Sequence, residues 1–84
     1  VDQNQEQIVN ALRTAGASVQ SLAPIGKGCP DILVAFRGDM FLMEVKQGNG
    51  KPNELQQEWH AAWKASVHVV YSPEEALRAI GAMQ

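Results

Sequence analysis

The chain has one cysteine, Cys29, so no internal disulfide can form, and this usage suits a reducing cytoplasm. No apolar run approaches membrane-spanning length, no secretory-signal pattern is present, and no membrane partner is expected. The first residue is Val1 rather than Met, which makes a trimmed N-terminus the expectation. There are no repeats and no low-complexity segments. Positive charge is not in excess: seven Lys and Arg stand against nine Asp and Glu, a net charge of −2. That argues against a surface that coats DNA indiscriminately. Any affinity for nucleic acid must come from a local arrangement of Lys27, Arg37, Lys46, Lys51 and Lys64. Gly26-Lys27-Gly28 lacks the spacing and the Ser/Thr of a phosphate-binding loop. His60 and His68 lie too far apart, without supporting cysteines, for a zinc site.

What is present is 84 residues with 45% hydrophobic content, enough for one domain spanning 1–84 and one core. A chain this short buries only about 60–65% of its unfolded surface, so association would help it. Ile8, Val9, Leu12 and Ala15 recur at helical spacing and predict a helix over 3–15, ended by Gly16. A short strand over 18–22 and a loop over 23–30 follow, the loop punctuated by two prolines and two glycines. Two apolar runs, 31–37 and 40–46, flank Gly38-Asp39 and predict a hairpin. After a flexible turn over 47–52, residues 53–65 carry an apolar stripe of Leu55, Trp59, Ala62 and Trp63. A strand over 67–71 leads to Ser72-Pro73-Glu74-Glu75, a capping box opening a helix to about Met83. The order is αβββαβα. The crossover through 53–66 makes the last strand parallel to the one carrying Glu44.

With Gly38 and Asp39 as the loop, Arg37 faces Met40, Asp31 faces Lys46, and Leu33 faces Glu44. Glu44 and Lys46 then share a strand face, roughly 6.5–7 Å apart, with Asp31 diagonal to Glu44 on that face. A slip of one residue would turn Asp31 away. A Glu-x-Lys pair alone is usually a solvated face. Here Phe41, Met43 and Val45 fill one side of the strand, and Met40 and Leu42 are expected to be covered on the other. Charges at the end of such a strand cost several kcal/mol to desolvate unless paired or metal-bound.

The ordered set Gly28, Pro30, Asp31, then Glu44-Val45-Lys46, then Gln56, with Glu6 on the first helix, resembles the PD-(D/E)XK nuclease superfamily. Within it the chain is similar to stand-alone virus-type replication-repair nuclease (VRR-Nuc) domains. The resemblance covers nearly the whole chain. It implies a restriction-endonuclease-like α/β core, a mixed four-stranded sheet flanked by helices. It also implies a divalent-metal-dependent DNA endonuclease preferring branched DNA, homodimeric, and cytoplasmic, in a host cell if phage-encoded.

In that reading Asp31 and Glu44 are the ligands of Mg²⁺ or Mn²⁺, with the carbonyl of Val45 as a third, as in related folds. Lys46 holds or polarises the attacking water and counters charge in the transition state; whether it is a base stays open. Glu6 is either an outer metal ligand or only a partner of the helix dipole. Gln56, at the edge of the apolar stripe, is expected to contact DNA or a ligand water. Lys27 and Lys51 are candidates for the DNA backbone, Lys27 equally a solvated loop residue. Trp59 and Trp63 are expected in the core or at a dimer contact. His60 is expected on the helix surface, His68 in strand packing and Cys29 as a small packing residue. The rival function is a non-catalytic module that binds DNA structures on the same fold.

Overall fold

A computed structural model of the chain describes residues 3–84. The element order is α1 (Gln3–Thr14), β1 (Ser18–Ser21), a single 3-10 turn (Ala23–Ile25), β2 (Ile32–Phe36), β3 (Asp39–Val45), α2 (Glu54–Ala62), β4 (Val67–Val70) and α3 (Pro73–Ala79). The strands form one mixed sheet in the order β1-β2-β3-β4. The first three pair antiparallel, and β4 runs parallel to β3, as the α2 crossover requires. The expected order and mixed four-stranded sheet are both present. Among the described residues no helix is long and apolar enough to cross a membrane.

The core lies on one face of the sheet. Ile8 and Leu12, four residues apart on α1, are fully buried against Ile32, Val34 and Phe36 of β2 and Met43 and Val45 of β3, with Ala76 and Ile80 closing it from the C-terminal helix. The alternation of β2 is strict, with Ile32, Val34 and Phe36 buried and Leu33 and Ala35 more open. α3 starts as expected. Pro73 occupies its first turn, and the Ser72 hydroxyl accepts from the Glu75 N–H at 3.1 Å. The Glu75 carboxylate reaches back to accept from the Tyr71 N–H at 2.9 Å.

The hairpin differs from its expected register. The two turn residues are Arg37 and Gly38, at φ 51° and 87°, and Phe36 faces Asp39. Positive φ at both central positions is the mark of a type I′ turn, whose twist matches that of the flanking strands. Arg37 adopts the left-handed region with its guanidinium 4.7 Å above the Phe36 ring. Leu33 therefore faces Leu42 instead of Glu44. The offset is even, so every side chain keeps its expected face, and Asp31 moves level with Glu44 instead of Lys46.

The second correction concerns α2. Its expected apolar stripe does not enter a core: no residue of α2 is buried, and Leu55 and Trp63 are 52% and 47% exposed. Met40, expected to be covered, is 68% exposed. Trp59 and Trp63 stack on each other, centroids 4.6 Å apart, above the second face of the sheet. With α1 and α3 filling the opposite face, α2 alone stands on this side.

α2 is held chiefly at its N-terminal end. There the backbone of Gly28, at φ 85°, approaches so closely that a Cβ would lie 2.5 Å from the carbonyl oxygen of Leu55. Only glycine supplies both the backbone angle and the space. Gly28→Ala should therefore cost at least about 2 kcal/mol, from left-handed strain and overpacking together. Gly16→Ala, at φ 101° with nothing within 4 Å of its Cβ, should cost only about 1–2 kcal/mol. Urea midpoints of the two variants decide the point, and equal losses would show that the Gly28–Leu55 approach is not a constraint.

Candidate active site

The ladder between β2 and β3 ends at Ile32 and Met43, and the next residues are joined differently. The Asp31 N–H donates to the Met43 carbonyl at 3.0 Å, while Asp31 Oδ2 accepts from the Val45 N–H at 2.7 Å. The carboxylate thus takes the place of a strand carbonyl at the end of the sheet. The preceding Pro30 is buried, and the Leu22 N–H donates to the Asp31 carbonyl at 2.8 Å, so the loop before β2 is fixed on both sides. Along a strand a residue's N–H and C=O point to the same edge, so the Val45 carbonyl faces the Asp31 side.

Glu44 is the one buried charged side chain among the described residues, at 1% exposure. It lies on the α2 side of β3, opposite the main core. Gln56 Nε2 donates to Glu44 Oε2 at 3.1 Å, and His60 Nε2 lies 3.4 Å from Oε1. Burial pushes the Glu44 carboxyl up to about 8, assisted by a hydrogen bond to Asp31 and by the charge of Asp31, and opposed by Lys46. Two carboxyl groups therefore share one small volume with a lysine beside them. Cys29 adjoins them, its thiol pushed up by burial and then by the charges of Glu44 and Asp31.

Lys46, half-buried, continues β3 by donating its N–H to the Val70 carbonyl at 3.1 Å. Its own carbonyl accepts from Asn4 Nδ2 at 2.7 Å, and the same amide reaches the Tyr71 carbonyl at 3.3 Å. One α1 side chain thereby ties together the ends of β3 and β4. Glu6 stands in the first turn of α1, the setting of a helix-dipole partner. It is exposed, two residues from Asn4 and so about 200° around the helix from the face that meets the sheet. Lys27 and Lys51 are exposed, Lys27 on the loop before β2 and Lys51 on the loop before α2.

Gln56 is fixed from two directions. Asn53 Oδ1 accepts from the Gln56 N–H at 2.9 Å, and Gln56 Oε1 accepts from the Asn53 N–H at 2.9 Å, a reciprocal capping box at the start of α2. With its oxygen held by the cap, the amide has only its NH₂ to present, and this faces Glu44. Gln56 was expected to meet DNA or a water; here both ends of its amide have protein partners.

Among the described residues no group of three or more His, Cys, Asp or Glu forms a metal cluster. The donor set that fits a hard cation is the Asp31–Glu44 pair with a strand carbonyl beside it. Mg²⁺ needs no more from a protein, because it retains several waters.

One solved structure, described as a VRR_NUC domain, superposes on this fold with a TM-score of 0.76 at 31% identity, covering 93% of this chain and 90% of the other. The chain belongs to the VRR-Nuc family. No family model and no curated protein matches it. A VRR-Nuc domain is a nuclease-type fold, and folds of this kind generally use divalent metals.

Two residues of this VRR-Nuc site escaped the sequence reading. His60 follows Gln56 by one helical turn, and that i, i+4 spacing was the available signal that both face Glu44. Asn4 sits four residues before the buried Ile8, a polar residue on the buried stripe of α1. His68 is where strand packing puts it, its ring 5.9 Å from that of Phe41.

The Glu44 carboxyl, near 4.5 when unperturbed and about 8 in the fold, binds its proton more tightly folded than unfolded. Its contribution to stability is therefore complete below about 4.5 and is lost as pH rises through about 8. In chelator, the urea midpoint of the wild type should fall between pH 5 and pH 8 relative to Glu44→Gln, which has no such proton to lose. Parallel pH profiles for the two proteins would contradict this assignment.

Proposed function

We propose that this VRR-Nuc domain is a divalent-metal-dependent DNA endonuclease that hydrolyses phosphodiester bonds in branched DNA, such as four-way junctions. The observation that carries the reading is the Asp31–Glu44 carboxyl pair at the sheet end with Lys46 beside it. Asp31, Glu44 and the Val45 carbonyl would hold Mg²⁺ or Mn²⁺, which when bound supplies an acidified water and a counter-charge for the phosphate. Lys46 orients that water and offsets the negative charge that develops on the scissile phosphate. Gln56 acts by keeping Glu44 in place, its own position set by the capping box. Lys27 and Lys51 meet the DNA backbone. A module that only bound DNA would gain nothing from a carboxyl pair that is costly to bury.

The active form is a homodimer, formed through the α2 face. The exposed Trp63, Met40 and Ile25 border an apolar groove of about 490 Å³ between α2 and the sheet. A second copy of the chain, bringing the same apolar surface, covers it and places two sites about a two-fold axis, suited to paired strands of a junction.

Wild type should cut a labelled four-way junction in preference to a matching linear duplex, only with Mg²⁺ or Mn²⁺, and Lys46→Ala should lose about 10²-fold or more in rate. Metal-dependent binding without cleavage in either protein would favour the DNA-binding module instead. Sedimentation equilibrium should give twice the 9.1 kDa chain mass for wild type and the single mass for Trp63→Glu, which leaves the core intact. A monomeric wild type would rule out the dimer.

A further inference from the structure

We propose that His60 is a positioning residue for Glu44, and that with Gln56 it sets the affinity of the site for a divalent cation. The inference rests on the metal-dependent reading above and deepens it. Gln56 and His60 are one turn apart on α2 and meet the same carboxylate, one at each oxygen, at 3.1 and 3.4 Å. Two donors on separate oxygens fix the plane of a carboxyl group, where a single donor leaves it free to rotate about its last torsion.

The surroundings single out His60 for this part. No residue of α2 is fully buried, and beside the half-buried Trp59 the polar contacts of Gln56 and His60 with Glu44 join the helix to β3. Its first turn is fixed by the Gly28–Leu55 approach and by the capping box, and His60 is the next contact along the helix toward the sheet. The ring is only 17% exposed and is met edge-on by Trp59, with centroids 6.4 Å apart and planes at 86°. Nε2 is the ring atom that faces Glu44, 3.4 Å from Oε1. To serve as donor, His60 must carry its proton on Nε2.

A carboxylate held by outer donors presents its remaining lone pairs in fixed directions, so an incoming cation need not order it. Removal of such outer partners typically lowers metal affinity by about 10–100-fold. His60 is not assigned a proton-transfer role, since its Nε2 is directed at Glu44 and not toward open solvent. Glutamine retains a donor close to the Nε2 position, so His60→Gln separates the hydrogen bond from the imidazole itself.

The experiment is titration of Mn²⁺ into the full chain without DNA, followed by calorimetry and by the electron paramagnetic resonance signal of free Mn²⁺. Wild type, His60→Ala and His60→Gln are compared, with folding checked by urea midpoint. The expected result is a loss of about 10–100-fold in Mn²⁺ affinity for His60→Ala and recovery of most of it in His60→Gln. Wild-type affinity in His60→Ala overturns the positioning role while leaving the metal site standing. Equal losses in the two variants also overturn it, because a donor would then be irrelevant. A wild type that binds no Mn²⁺ removes the metal-dependent reading itself.

Discussion

The burial of Glu44 against Asp31 is the constraint around which the rest of this small domain is arranged. A carboxyl group at 1% exposure is destabilising unless its oxygens find partners, and nearly every irregular feature nearby supplies or positions one. Asp31 leaves the strand ladder to bond the Val45 N–H. Gln56 and His60 come down from α2 onto the two oxygens of Glu44. Gly28 gives way so that α2 can start close enough to do so. The pair of acids is held at a sheet end, where β2 has stopped and an edge is open.

This arrangement divides the domain. One face of the sheet is an ordinary apolar core made by α1, α3 and the inward residues of β2 and β3. The other face is organised by polar contacts at the Glu44 end and is left uncovered toward Met40 and Trp63. Stability and chemistry are thus assigned to opposite sides of the same strands. Period-two alternation makes this possible, since Met43 and Val45 serve the core while Glu44 between them serves the site.

The sequence made the elements legible because each carries local chemistry: the apolar spacing of Ile8 and Leu12, the Ser72-Pro73 start of α3, and the crossover length that sets β4 parallel. It also put Asp31, Glu44 and Lys46 on one face, since an even shift of register preserves parity. It misjudged the turn, because Gly38 fits either of two neighbouring loops and only strand twist and the tolerance of Arg37 for positive φ choose between them. It put Leu55, Trp59, Ala62 and Trp63 on one apolar face and left open whether the core or a second copy covers it, because helical periodicity reports which residues share a face and not what covers it.

The sequence alone determined the order of helices and strands, the parallel setting of β4 against β3, and the common face of Asp31, Glu44 and Lys46, because these follow from spacing, parity and chain connectivity. Tertiary structure decided what each of those residues touches. Gln56 became a cap partner and a holder of Glu44, His60 moved from the surface to the carboxylate, and Glu6 turned away while Asn4 bound the strand ends. Those outcomes depend on the height and rotation of α1 and α2 over the sheet. A helix rotation of 100° per residue exchanges a site residue for a solvated one, and no local pattern fixes that angle.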